Sequence, residues 1–285
     1  MTPSTHNIDN HSPSPHAPEL YAAQRTAEYL PDVSAVDGRA IQRFHETGYL
    51  AFERVLSDRS VADALEAIDD LAAGKNAQFN DVLLESKAGG VDPASLDPIA
   101  RADLVRRLMA FTQFDDRLEA VMREPRLVGL VRTLLGDEPA CFQEMALLKP
   151  PGGGREKPWH QDHAYFDFAQ GTPIVGVWIA LDPADAENGC MHLVEGTHHE
   201  IVPHFNRRDW QICDTEVMGR PVVTVPLPPG GAMVFSGLLM HGTPANHSSR
   251  RRRALQFHYA GEGAERCATE ERLRLFGSEG RDVTC

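Results

Sequence analysis

Cysteine is scarce in this 285-residue chain. Its five copies, Cys141, Cys190, Cys213, Cys267 and Cys285, are odd in number, scattered and without a C-x-x-C pair. That argues against a disulfide framework or a thiolate metal site and fits a reducing, cytoplasmic setting. Long apolar runs are missing as well. The longest apolar-plus-glycine stretch, Ile174 to Leu181, is far short of the roughly 18 residues a membrane helix needs. The opening Met1-Thr2-Pro3-Ser4-Thr5-His6 has neither the basic nor the apolar region of a signal peptide. Positive charge is in deficit: 28 Lys and Arg face 41 Asp and Glu, and the resulting net charge of −13 repels a nucleic-acid backbone. No internal repeat or heptad series is found. The partners expected are therefore neither nucleic acid nor membrane but a small molecule, bound by a monomer or homodimer.

What is present suits a folded protein, because a 42% hydrophobic share is enough to bury a core. Histidine, at 13 copies, is the surplus, and imidazole is a common ligand for iron, zinc and copper. Residues 1–35 mix Pro3, Pro13, Pro15 and Pro18 with His6, His11 and His16 and read as a mobile arm, leaving 36–285 as a single domain. Ala40–Thr47 predicts a helix stopped by Gly48, followed by a strand at Tyr49–Phe52. Ser57 or Asp58 caps a second helix with Val61, Ala64, Leu65, Ile68 and Ala72 on one face and Gly74 as its stop. Two further helices are expected over Ala102–Met122 and Pro125–Leu135, the latter with proline in its first turn and Gly136 at its end. After Gly136 the texture changes. Short apolar runs at 141–148, 174–181, 191–194, 222–227, 232–235 and 254–259 alternate with turns, as in a β-sandwich or barrel. Helices first and strands afterwards give an α+β layout.

The sharpest local feature is Trp159-His160-Gln161-Asp162, which follows the Pro150–Gly154 loop. In an extended segment residues i and i+2 share a face, so His160 and Asp162 can aim imidazole and carboxylate at one point. A chain this rich in histidine and acids contains such triplets by chance, so the surroundings matter. His241 follows the apolar run Met233–Gly237, and two His with one carboxylate leave three cis positions open, as in non-haem Fe(II) oxygenases. Arg252 stands at the start of the last apolar run and suits bidentate pairing with a dicarboxylate.

From about Ala40 to Gly261 the chain resembles the phytanoyl-CoA dioxygenase family of Fe(II)- and 2-oxoglutarate-dependent oxygenases. The resemblance rests on Phe44-His45-Glu46-Thr47-Gly48-Tyr49-Leu50, His160-Gln161-Asp162, Asn188-Gly189-Cys190-Met191, Gly196-Thr197-His198, and His241 with Arg252. It implies a double-stranded β-helix, a cupin-like jelly roll, with N-terminal helices packed outside. It also implies Fe(II) on His160, Asp162 and His241, the 5-carboxylate of 2-oxoglutarate on Arg252 assisted by the Thr243 hydroxyl, and Gln143 near the co-substrate. O2 is the second co-substrate, and 2-oxoglutarate leaves as succinate and CO2. Related halogenases carry a small residue where Asp162 stands, so a carboxylate there implies hydroxylation or another non-halogenating oxidation of an unactivated C–H. Relatives often read Pro-Gly-Ser-His at Glu195–His198, a turn taken as structural along with His192 and His199.

The run Arg250–Arg253 leaves Arg253 as the alternative anchor, since strand neighbours face opposite ways. His163 is expected to face away from the site. Phe166, His204, Arg207 and Trp210 are the candidate substrate residues, and Lys149, Lys157, Arg207 and Arg208 would suit an anionic group. Two rival readings share the fold: a cupin-like metal protein without 2-oxoglutarate chemistry, which has no need of Arg252, and a silent binding protein, which would have lost a ligand.

Overall fold

The computed structural model describes residues 7–8, 16–85, 91 and 95–277. His6, His11 and Cys285 lie outside the described residues. The helix starts follow from side-chain caps. The Asp37 carboxylate accepts from the Ala40 N–H at 2.9 Å at the head of helix Gly38–Thr47, which ends on Gly48 with φ of 87°. Ser57 caps Asp58–Ala72 in the same way, accepting from the Ser60 N–H at 3.1 Å, and Pro125–Leu135 ends on left-handed Gly136. Glycine takes these left-handed positions without the steric cost a Cβ would add.

Eight antiparallel strands make the core. Pro139–Lys149, Arg252–Gly261, Ile174–Ala180 and Ala232–Ser236 lie side by side in the larger sheet. Val222–Val225, Met191–Val194, His241–Thr243 and Lys157–His160 form the smaller one. Two facing four-stranded sheets are the double-stranded β-helix that the resemblance implies.

Alternation decides what each face of the larger sheet buries. Val175, Val177, Ile179, Leu255 and Phe257 point outward and join Ala64, Ile68, Leu130 and Val131 of the helices in one cluster. Each such aliphatic or aromatic side chain withdrawn from water is worth about 1.5–3 kcal/mol, which holds the helices against the sheet. Trp178, Ala180 and Ala254 point inward, toward Met191, Leu193 and Val223 of the smaller sheet.

Two readings of the sequence are corrected. Residues 16–35 are docked on the core rather than forming an arm. Leu20 and Tyr21 are buried, Arg25–Thr26 pairs in parallel with Val222–Val225, and Tyr29–Leu30 pairs with Tyr49–Phe52. Tyr21 stacks on Trp159 at 5.5 Å and donates to Glu156 at 2.7 Å. The polar, proline-rich texture hid two buried anchors.

Ala102–Met122 is likewise not one helix. A short helix at Pro98–Ala102 gives way to a strand at Val105–Met109, and a helix resumes at Asp116–Met122. The apolar spacing of Val105 and Leu108 suits a helix, but the segment satisfies its backbone against the edge of Pro139–Lys149 instead. Ala110, with φ of 49°, then breaks any helical path. Among the described cysteines, Cys141, Cys190 and Cys267 are free.

Two histidines of the core act as a stability sensor. Burial lowers the imidazole of His192 to about 4 and that of His204 to about 3. His204 is locked neutral, its Nδ1 facing the Val202 carbonyl at 2.8 Å while Nε2 accepts from the Gln161 N–H at 3.0 Å. Unfolding releases both to about 6.5, so their contribution is complete above that pH and is lost as pH falls toward 4. By pH 5 the loss is about 2 kcal/mol apiece. Denaturation of the metal-free protein at pH 7 and pH 5 measures this, and a flat profile would contradict it.

Candidate metal centre and active site

His160 ends the strand Lys157–His160 and pairs in register with His241, which begins His241–Thr243. Asp162 opens a single 3-10 turn two residues after His160. Their ligand atoms all lie within 4.8 Å of one another, and all three residues are buried. His160 Nε2 is 3.2 Å and His241 Nε2 3.6 Å from Asp162 Oδ1.

Each imidazole is oriented from behind. His160 Nδ1 faces the Pro158 carbonyl at 2.7 Å, and His241 Nδ1 faces that of Leu239 at 2.8 Å. With the proton on Nδ1 donated to a carbonyl, Nε2 presents its lone pair to a metal. Burial, with His160 beside it, lowers His241 to about 4, so it is neutral at pH 7. Burial alone would raise the Asp162 carboxyl; the neighbouring His241 and His258 rings, with the close approach of His160 and His258 to its oxygens, overcome this and hold it well below the usual range. Two imidazoles and one carboxylate are the donor set of a facial Fe(II) site, so the residues fit that ion.

Gln161, between the ligands, is fully buried and faces the other way. It donates to the carbonyls of Glu200 at 2.7 Å and Leu238 at 2.6 Å, and accepts from the Val202 N–H at 2.9 Å. One amide thus joins the segment bearing His160 and Asp162 to the turn leading into His241. Behind His241 lies the Phe235 ring, at 4.8 Å. Gly176 makes room for it, since a Cβ there would come within 2.5 Å of that ring.

The ligands open on a cavity of about 540 Å³, whose walls include Gln143, Met145, Trp178, Thr243, Arg252 and Gln256. Arg252 is buried and pairs in register with Lys149. One Nη donates to the Leu147 carbonyl at 3.2 Å, the plane lies over Trp178 at 5.4 Å, and Nε has no hydrogen-bond partner among the described residues. Burial lowers it to about 10, still a cation at neutral pH. The other three arginines of the run are engaged outside. Arg250 binds Asp185, Arg251 binds Asp103, and Arg253 binds Asp182 and Asp69.

A family model described as phytanoyl-CoA dioxygenase (PhyH) matches residues 44–254. The chain belongs to the phytanoyl-CoA dioxygenase family. It is 31% identical over 153 residues to the probable phytanoyl-CoA dioxygenase of Caenorhabditis elegans, a match spanning 48% of this chain and 49% of that relative. Identity with the L-proline trans-4-hydroxylase of Streptomyces griseoviridis is 27% over 241 residues, covering 76% of this chain and 84% of the relative. Among solved structures, the epimerase SnoN in complex with Fe3+, alpha ketoglutarate and nogalamycin RO superposes with a TM-score of 0.64 at 22% identity. That match covers 81% of this chain and 86% of SnoN, and it bears on the fold. As a member of the phytanoyl-CoA dioxygenase family with this donor set, the protein is an Fe(II)- and 2-oxoglutarate-dependent oxygenase.

Not every residue singled out in the sequence reaches the cavity of this family member. Phe166 lines it, as do Gln143 and Thr243. His204 does not: its ring is spent on Gln161 and Val202 and packs between Trp210 and Phe276. Arg207 is exposed, and Trp210 is absent from the cavity wall. In the hairpin that carries them, His204–Asn206 with Trp210–Ile212, the His204 ring meets Phe276 of the helix Thr269–Phe276 and Trp210 stacks on His204. Arg208 is buried between Glu156 and Asp214 rather than at a mouth.

Two residues the sequence reading passed over complete the centre. Gln256 Nε2 and His258 Nε2 approach Asp162 Oδ2 at 3.1 and 2.7 Å, leaving Oδ1 for the metal. Both were findable, because positions 252, 254, 256 and 258 alternate onto one face of a strand. His258→Phe, in a site already walled by Phe142 and Phe166, is expected to weaken Fe(II) binding about 10–100-fold. Fe(II) titration of the metal-free protein reads this. An unchanged affinity would reduce His258 to a space-filler.

Proposed function

We propose that this oxygenase hydroxylates an unactivated C–H of a small-molecule metabolite. His160, Asp162 and His241 would hold Fe(II), and Arg252, with Thr243 and Gln143 beside it, would hold 2-oxoglutarate. The observation that carries the reading is the meeting, in one cavity, of the His160/Asp162/His241 cluster with a buried arginine that has no carboxylate partner among the described residues. A metal protein without 2-oxoglutarate chemistry would have no use for that cation.

When bound, Fe(II) with 2-oxoglutarate and O2 supplies the oxidising power, and decarboxylation to succinate and CO2 takes up one oxygen atom while the substrate receives the other. The chain's own residues do the positioning. The Pro158 and Leu239 carbonyls fix both imidazole planes, and Gln256 and His258 hold the outer carboxylate oxygen. The Asp162 carboxylate occupies the place a halide would need, which supports oxygen transfer over halogenation. Met145, Phe166, Trp178 and Met191 keep the walls apolar and limit water.

The test is succinate release by the wild-type protein. It is expected only when Fe(II), 2-oxoglutarate and O2 are all supplied, and to be independent of chloride. Untouched 2-oxoglutarate under those conditions would sink the reading.

A further inference from the structure

The charge of the cavity bears on what enters it. The chain as a whole carries −13, yet Arg106, Arg107, Lys149, Arg155, Lys157 and Arg252 line this cavity against two carboxylates, Asp162 and Asp209. Loading the centre does not remove the excess, since Fe(II) is a dication and 2-oxoglutarate a dianion. Several of the cations have structural duties. Lys157 pairs with Asp209 at 2.9 Å, Arg106 faces Glu85 at 3.7 Å, and Lys149 donates to the carbonyls of Thr243 and Pro244. Arg155 donates to the Arg208 carbonyl at 2.8 Å and, through its backbone N–H, to Glu85 at 3.3 Å.

Position sets Arg107 apart. The strand Val105–Met109 extends the larger sheet, and Arg107 stands opposite Leu147 on one side and Leu83 on the other, both of them cavity residues. Residues directly opposite in an antiparallel pair share a face, so Arg107 projects with Leu147 and Met145 into the cavity. Its field, with that of Arg106, reaches Lys157 on the metal-bearing strand of the other sheet. Burial first, and then these arginines, depress that ammonium despite its pairing with Asp209. Cations from both sheets therefore converge on a space whose other walls are Met145, Leu147, Phe166, Trp178 and Met191.

Building on the oxygenase reading above, we infer that Arg107, with Lys157 across from it, binds the anionic end of the substrate. The substrate is a small acid with a terminal carboxylate, phosphonate or phosphate and an aliphatic body along the apolar wall. A guanidinium takes such a group in a bidentate pair. A neutral isostere offers this cationic end of the cavity no opposite charge, so discrimination against it is strong.

The experiment titrates the protein, loaded with Fe(II) and saturated with 2-oxoglutarate under nitrogen, with hexanoate, hexylphosphonate and hexanamide, by calorimetry. Saturation keeps the acids away from Arg252. The two acids are expected to bind at least tenfold more tightly than the amide. Arg107→Met should erase that preference, and Arg107→Lys should keep most of it. The inference is overturned if the wild type shows no preference, including no binding of either acid, or if the preference survives in Arg107→Met. Failure of the oxygenase reading looks different: the acids bind preferentially, but admitting oxygen to the wild type yields no succinate.

Discussion

Asp162→Ala is expected to lower Fe(II)-dependent succinate formation by at least three orders of magnitude, and His160→Ala to do the same. Removing the carboxylate takes away one metal ligand and its negative charge together, and strands two groups built to serve it, Gln256 and His258. A buried group left without its partner costs about 1–3 kcal/mol, so some loss of stability accompanies the loss of activity. Circular dichroism and iron stoichiometry on the same sample separate the two effects. Succinate at the wild-type rate from either variant would remove these residues from the centre.

The second large effect is expected at Arg252. Arg252→Met should raise the KM for 2-oxoglutarate about a hundredfold or more, because a desolvated charge-assisted pair at the far carboxylate is lost. Arg253→Met is the built-in control. Its guanidinium spans Asp182 and Asp69 with side-chain exposure of only 16%, so its removal should leave KM alone and cost roughly 1–3 kcal/mol of stability. The reverse pattern, with KM moving at Arg253 and not at Arg252, would transfer the anchor to the neighbour.

The residues whose chemistry is spelled out by type and spacing were legible. His160, Asp162, His241 and Arg252 announce themselves through ligand identity and order along the chain, and the helix ends through Ser57, Pro125 and the stops at Gly48 and Gly136. What escaped were residues whose meaning depends on who lies opposite. Val105 and Leu108 fit helical spacing as well as they fit a strand, and only the open edge of Pro139–Lys149 decides between them. With that error went Arg106 and Arg107, since a helix there would not have brought them to the cavity. The aromatic and basic hairpin around His204 looked like a substrate loop by composition, but composition cannot say which face meets the helix ending at Phe276. Gln161 is the converse case: an unremarked amide inside a recognised motif that joins the two ligand-bearing segments.

The docking of the N-terminal segment has a consequence for how the protein is made. Gln24 and Val222, which exchange a hydrogen bond beside the parallel pair Arg25–Thr26 and Val222–Val225, are 198 residues apart. During synthesis the segment Arg25–Thr26 therefore meets its strand neighbour only after the intervening chain has followed, and closing so long a loop makes folding slow. The iron ligands wait too, for His241 must arrive before His160 has its strand neighbour. Assembly of the centre is thus a late event, with Tyr21 settling on Trp159 as the clasp that closes over strands already in place.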